Sequence, residues 1–229
     1  MTTQIVFVTI GESPRADLQA IYDDYFKGSD EVSQVGLLDG LSHQEADERF
    51  SVDDPDEAQL TSRFVDGYQV IMSQSKVERQ LQLMINQLEA AKVEVIALLC
   101  TGNFEHLTAH HSTLITAEEV TIPYIKTHYP TQLVGIVNPL AKQIEDSKRK
   151  WELTDDQAVF TYASPYQVQV EEFDRAGEFL AEAGVKAVVM DCIGYNRDMQ
   201  KMLEKHLGDT PIYLSNELLF QYIVDTYQK

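Results

Sequence analysis

The sequence predicts an α/β fold of two pseudo-symmetric αβα subdomains, each with its own parallel sheet, with a cleft between them. Three observations predict it. Short, almost continuously apolar runs recur, as expected of strands buried on both faces of a parallel sheet. Segments with apolar residues at helical spacing lie between them, the alternation that builds such sheets. Finally, setting Cys100 on Cys192, an offset of 92 residues, also pairs Leu88 with Leu180, Ala91 with Ala183, Val93 with Val185 and Gly102 with Gly194. Any two buried strand–helix units share Val, Leu and Ala, so the informative part of this partial repeat is the Cys-x-Gly string.

In the first half, Ile5 to Thr9 is a strand. A helix should follow, with Ser13 as N-cap, Pro14 at the first helical position, and Leu18, Ile21, Tyr22 and Tyr25 on one face before Gly28-Ser29. Val32 to Leu38 is a second strand. The polar, acidic stretch from Ser42 to Glu57 contains Asp53-Asp54-Pro55-Asp56-Glu57, which reads as a solvated turn. Tyr68 to Met72 alternates polar and apolar, a strand after a turn at Gly67. Ser75-Lys76-Val77-Glu78 matches a capping box, opening a helix with Val77, Leu81, Met84, Ile85 and Leu88 as its buried stripe. Val93 to Leu99 is a strand ending at Cys100-Thr101-Gly102-Asn103.

The second half repeats this grammar. Gln132 to Val137 is a strand closed by Asn138-Pro139, and a helix carrying Leu140, Ile144 and Trp151 follows. Ala158 to Tyr162 is a strand, Val170 to Ala183 a helix, and Lys186 to Asp191 a strand ending at Cys192-Ile193-Gly194-Tyr195. Tyr195 to Leu207 is a helix, Pro211 to Leu214 a strand, and Glu217 to Tyr227 a closing helix capped by Ser215 or Asn216. The expected domains are residues 1–115, residues 116–212, and a closing helix at 213–229 that packs back on the first half.

Composition narrows the function. With 37 Asp+Glu against 18 Lys+Arg the net charge is −19. Nucleic-acid and anionic-membrane binders need a basic face, so neither partner is expected. Lys148-Arg149-Lys150 is too short a basic cluster to change this, and suits the C-terminal end of a helix dipole. Two cysteines cannot make a disulfide framework and point to a reducing compartment. Met1-Thr2-Thr3-Gln4 lacks the basic start of an export signal, and no apolar stretch reaches the ~20 residues that span a bilayer. A soluble, cytoplasmic protein is expected, and a homodimer is compatible with the sequence.

Ligands in parallel α/β sheets bind beyond the carboxyl ends of strands, where both thiols fall. One thiol per half suits cofactor-free proton transfer: a thiolate removes a proton from one face of a carbon and the opposing thiol returns one to the other. Helix N-termini lower thiol pKa values and make the base usable near neutral pH. Charge building beside a substrate carboxylate needs donors, which Thr9 to Ser13, Thr101 to Asn103 and Ser215-Asn216 could supply from strand-to-helix junctions. Arg15 and Lys76 could add positive charge, although composition alone reads them as surface residues.

The strings Thr9-Ile10-Gly11 with Pro14-Arg15, Ser75-Lys76-Val77-Glu78-Arg79, Thr101-Gly102-Asn103, Met190-Asp191-Cys192-Ile193-Gly194 and Leu214-Ser215-Asn216 resemble the AroM family over nearly the whole chain. That family takes its name from association with aromatic amino-acid biosynthesis genes. More distantly the chain resembles the aspartate/glutamate racemase superfamily, whose two halves each place one cysteine at a central cleft. The resemblance implies Cys192 and Cys100 as catalytic residues. It also implies a ligand set of Thr9, Gly11, Arg15, Lys76, Thr101, Gly102, Asn103, Gly194, Tyr195, Ser215 and Asn216. Amino-acid racemases typically follow the first cysteine with Asn-Thr and the second with Thr-His. Here Thr101-Gly102 and Ile193-Gly194 stand instead, which removes a thiol-activating His and argues against glutamate as substrate. Relatives with altered cysteine sites resemble decarboxylases and cis-trans isomerases of small dicarboxylates. Where AroM-like proteins carry Ser at the first site, Cys192 alone would carry the shared chemistry.

Blander readings compete. A strand-end cysteine is commonly a small buried hydrophobe. His106 and His110 stand one helical turn apart, a spacing used for metal ligands, but no carboxylate motif follows, so a solvated polar helix and no metal are expected. Gly11, Gly102 and Gly194 read as turn residues, with no nucleotide-loop pattern and no cofactor expected. The expected function is racemisation, isomerisation or decarboxylation of a small carboxylic acid. The competing one is a non-catalytic protein that binds or senses an acidic metabolite linked to aromatic amino-acid metabolism.

Overall fold

β1 (Ile5–Thr9) and β5 (Val95–Leu99) are buried along their whole lengths, as expected of the two central strands of a parallel sheet. In the computed structural model residues 3–54 and 56–228 are described. Met1 and Thr2, read above for an export signal, and Pro55 of the acidic turn lie outside them. The described residues form two compact units, one of residues 3–116 with 227–228, the other Ala117–Thr226.

The first unit has a parallel sheet in the order β2-β1-β5-β6, with β2 at Val32–Gly36 and β6 at Thr113–Thr116. A short 3-10 turn at Ala16–Leu18 and α1 (Gln19–Phe26) follow β1, and Phe26 packs its ring against Phe7 at 5.1 Å. Ser13 does not cap this helix. The Ser13–Pro14 peptide is cis, and the Ser13 amide and hydroxyl are both held by the Asp39 carboxylate. The acidic stretch is not all loop, since α2 (His43–Arg49) starts at a capping box between Ser42 and Glu45. After it, β3 (Gln59–Arg63) and β4 (Gln69–Ser73) form an antiparallel hairpin outside the main sheet.

α3 (Gln74–Ala90) runs from that hairpin into the core, burying Val77, Leu81 and Ile85 as their spacing requires. Its cap is Ser73, whose Oγ accepts the Lys76 amide at 3.4 Å, so Ser75 stands inside the helix. Val77, Leu81 and Ile85 join Val8, Ile96 and Leu98 in one apolar cluster. Each such aliphatic side chain is worth about 1.5–3 kcal/mol when fully buried.

The second unit opens with α4 (Ala117–His128), followed by β7 (Val134–Asn138), a 3-10 turn at Ala141–Gln143, α5 (Ile144–Trp151), β8 (Ala158–Tyr162) and α6 (Val170–Ala183). β9 (Ala187–Met190), α7 (Arg197–Leu207), β10 (Ile212–Leu214) and α8 (Ser215–Tyr227) complete it. Its parallel sheet has the order β8-β7-β9-β10, the same order by role as the first. Ile5 pairs with Val95 in one sheet and Val134 with Ala187 in the other, so Val95 and Ala187, which open the strands leading to the cysteines, keep the 92-residue offset, while their partners Ile5 and Val134 are 129 residues apart. Trp151, fully buried, anchors an apolar cluster with Ile125, Ile136 and Val189.

Two further elements, β6 and α4, were not expected from sequence: β6 is a four-residue edge strand, and Pro123 interrupts the helical pattern of α4. The segment carrying His106 and His110 is not a helix. Its amides are taken by acids on α3, Glu78 for His106 and Glu89 for His110 and His111. Among the described residues no helix is long and apolar enough to cross a membrane.

Candidate active site

In the first unit β1 and β5 end side by side. Their register sets Thr9 opposite Leu99, so Cys100 leaves the sheet beside Ile10. Cys100 Sγ accepts the backbone N–H of Gly102 at 3.3 Å, and Thr9 Oγ1 accepts that of Gly11 at 3.2 Å. The same device therefore closes both strands: a side chain folds back onto the amide two residues on. Gly11, Gly102 and Gly194 are absent from the positive-φ glycines, so none is required for a left-handed backbone. At Gly11 the constraint is space, because a Cβ would fall 2.6 Å from Ser62 Oγ and 2.8 Å from the Arg63 carbonyl oxygen.

Arg15 is buried beside Thr9 and donates to its hydroxyl at 3.2 Å. Its Nε and Nη2 also grip both oxygens of Asp17, at 2.8 and 2.6 Å. Burial alone would raise the Asp17 carboxyl, but Arg15, helped by Arg63, holds it below its ordinary range. Lys76 donates to Ser51 Oγ at 2.7 Å and pairs with Asp53 at 2.8 Å. Both expected cations thus already carry a carboxylate. The side chain of Asn103 is exposed, and its carbonyl accepts Gln74 Nε2 at 2.6 Å, tying the start of α3 to the loop after Cys100 where Thr101 is half-buried.

In the second unit β7, β9 and β10 end together, with Val137 and Leu214 both paired to Met190. Cys192 Sγ accepts the Gly194 N–H at 3.4 Å, the same arrangement as at Cys100. Ser215 and Asn216 lie in the first turn of α8 rather than ahead of it, and their side chains reach back to this turn. Ser215 Oγ donates to the Met190 carbonyl at 3.2 Å, and Asn216 Nδ2 donates to the carbonyls of Ile193 and Tyr195 at 2.8 and 2.7 Å. Tyr195 is fully buried and donates its hydroxyl to the Ala163 carbonyl at 2.7 Å. Burial first, then the charges of Cys192, Tyr166, Asp191 and Glu172, push its phenol far above the ordinary range.

Beside the Cys192 turn lies a buried ion pair. Asp191 Oδ2 accepts Lys150 Nζ at 2.5 Å and the Trp151 indole N–H at 2.8 Å, with both charged side chains under a tenth exposed. Cys100 and Cys192 are reduced thiols, and both are buried. Among the described residues no group of three or more His, Cys, Asp or Glu is placed to hold a metal ion.

The model of the protein family described as AroM protein matches residues 5–225, which include both Cys-x-Gly turns. The chain belongs to the AroM family. No match was found among curated proteins. Solved structures similar to this AroM protein include the glutamate racemase of Aquifex pyrophilus, at 16% identity and TM-score 0.59 over 97% of this chain and 83% of that one. The allantoin racemase of Klebsiella pneumoniae matches at 12% identity and TM-score 0.58, over 97% and 87%. An unliganded arylmalonate decarboxylase matches at 17% identity and TM-score 0.57, over 98% and 92%. At such identities the likeness is one of fold, which is the racemase-like α/β fold.

The AroM chain also brings Tyr166 to the second thiol, a residue its sequence does not single out. The Tyr166 hydroxyl lies 3.6 Å from Cys192 Sγ, carried there by the loop between β8 and α6. Ser164 Oγ, accepting the amides of Tyr166 and Gln167, shapes that loop, and the Tyr195 bond to Ala163 ties it to the Cys192 turn.

Proposed function

We propose that this AroM protein catalyses cofactor-independent proton transfer on a small carboxylic acid, as a racemase, isomerase or decarboxylase. Cys192 is the principal acid/base and Cys100 its counterpart. The observation that carries this reading is the shared turn: each sulfur ends a central strand and accepts the amide of the glycine two residues on. A donor aimed at sulfur favours thiolate over thiol, so both residues are suited to exchange a proton. The thiolate takes the proton from the carbon next to the carboxylate and leaves the electron pair there as an enediolate. A thiol then returns a proton to that carbon. In decarboxylation the electron pair comes from the broken bond to carbon dioxide, and only the second step is needed.

The strand-end segments Thr9 to Gly11, Thr101 to Asn103, Gly194 and Tyr195, with Ser215 and Asn216 bracing the second turn, would flank the carboxylate, while the Gly102 and Gly194 amides stay on the sulfurs. Arg15 and Lys76 would add positive charge shared with Asp17 and Asp53. The test is incubation in deuterated water with a panel of chiral amino, hydroxy and aryl-substituted acids. Deuterium uptake or turnover that disappears in Cys192→Ala is the expected result, and activity indifferent to Cys192 overturns the reading.

The prior neutralisation of Arg15 and Lys76, and the packing of Cys100 in an apolar cluster, favour a second reading. In it the protein binds or senses an acidic metabolite without turnover. Its mark is a ligand-induced rise in Tm that survives loss of both thiols.

A further inference from the structure

We propose that Tyr166 is the residue that holds Cys192 as a reactive thiolate, by donating a hydrogen bond from its hydroxyl to the sulfur while keeping its proton. This rests on Cys192 being the working thiol. The hydroxyl stands 3.6 Å from Sγ and the Gly194 amide donates to it at 3.4 Å; a thiolate has no proton to give, so in that state both contacts are donors to one sulfur. Sulfur is a weak acceptor as a thiol and a strong one as an anion, so both contacts strengthen when the proton leaves. The neighbouring phenol cannot take this part, because the Tyr195 hydroxyl is spent on the Ala163 carbonyl.

Charged groups around the turn include several that oppose the thiolate or are compensated. Asp191 precedes Cys192 but carries Lys150 and Trp151 on its carboxylate. Glu118, close to Lys150 and Asp191, and Glu172, which accepts the Ser164 amide, are negative. Arg197 of α7 is paired with Glu217. A neutral donor is therefore what a thiolate at this position needs, and Tyr166 brings one without adding charge. The loop that carries it is fixed at both sides by the Ser164 and Tyr195 bonds described above, so the hydroxyl is positioned before any ligand arrives.

The experiment is the pH dependence of alkylation of Cys192 by iodoacetamide in the full chain, followed by peptide mass. It reads the thiol whether or not the protein turns over any acid, so failure here is distinct from failure of the proposed reaction. Tyr166→Phe should move the midpoint upward and slow alkylation roughly tenfold at neutral pH, with the rate at high pH unchanged. Tyr166 replaced site-specifically by 3-fluorotyrosine, a stronger donor of nearly the same shape so long as its phenol holds its proton, should move the midpoint downward. A purely structural role would change the high-pH rate and leave the midpoint in place. Midpoints that stay with the native protein in both variants overturn the proposal, and the fluorinated chain alone decides if Tyr166→Phe fails to fold.

Discussion

Gly194 aims its backbone N–H at the sulfur of Cys192 from 3.4 Å, and the donor belongs to the main chain rather than to any side chain. A methyl group added at Gly194 would meet Pro165 no closer than 3.5 Å, an ordinary contact. Gly194→Ala is therefore expected to keep the donor and to cost less than about 1 kcal/mol. Gly11→Ala, which drives a methyl into Ser62 and the Arg63 carbonyl, is expected to cost about 1–3 kcal/mol. Urea denaturation of the two variants checks the contrast, and equal stabilities would show that the backbone at Gly11 gives way.

Asp191 and Lys150 form a buried pair next to the Cys192 turn. Removing one partner leaves the other charge in a site that water does not reach. Lys150→Met is expected to destabilise the chain by about 3–5 kcal/mol, and Asp191→Asn combined with Lys150→Met to recover much of that loss. Trp151 is the only tryptophan and donates to Asp191, so its fluorescence follows the unfolding directly. A double variant no more stable than Lys150→Met would mean that the pair is not the source of the cost.

Glu118 gives a pH signature. Burial raises its carboxyl above the ordinary value, Lys150 opposes this, and Asp191, Glu119 and Glu152 add to the rise. The unfolded chain ionises this group more readily than the folded one. Its ionisation therefore costs stability as pH climbs through the unfolded pKa, and the cost stops growing above the folded pKa. Glu118→Gln is expected to gain stability relative to the native chain at about pH 7 but not at about pH 3.5. Denaturation curves at the two values test it through their difference, which would be absent if the group titrated alike in both states.

Asn216 holds two carbonyls of the Cys192 turn with one amide nitrogen. Asn216→Ala leaves the Ile193 and Tyr195 oxygens buried without this donor, at a cost of about 2–4 kcal/mol. Asn216→Asp should behave similarly, because a carboxylate cannot donate to either oxygen. In both, hydrogen exchange at the Gly194 and Tyr195 amides is expected to quicken while the β1 amides stay protected. Uniform loss of protection would point to a general rather than local role.

Much of the architecture is legible because it is local. β8 and α6 have the bounds their periodicity predicts, and β1 begins and ends where its apolar run does. Other elements are hidden by weak or competing signals. α2 is polar on most of its surface, so only the Ser42-x-x-Glu45 spacing marks it. The cap of α3 moves from Ser75 to Ser73, since two serines two residues apart offer the backbone alternative hydroxyls and only the path out of β4 selects between them.

By itself the sequence determined the α/β class, the 92-residue repeat and the Cys-x-Gly ends of two equivalent strands. These depend on the spacing of apolar residues and on side chains a few positions apart. Only the tertiary structure decided that Arg15 and Lys76 face Asp17 and Asp53, that Lys150 answers Asp191, and that Tyr166 reaches Cys192 across 26 residues of chain. Most of those meetings follow from strand register and loop path, and no local periodicity encodes which donor arrives at a sulfur from another element.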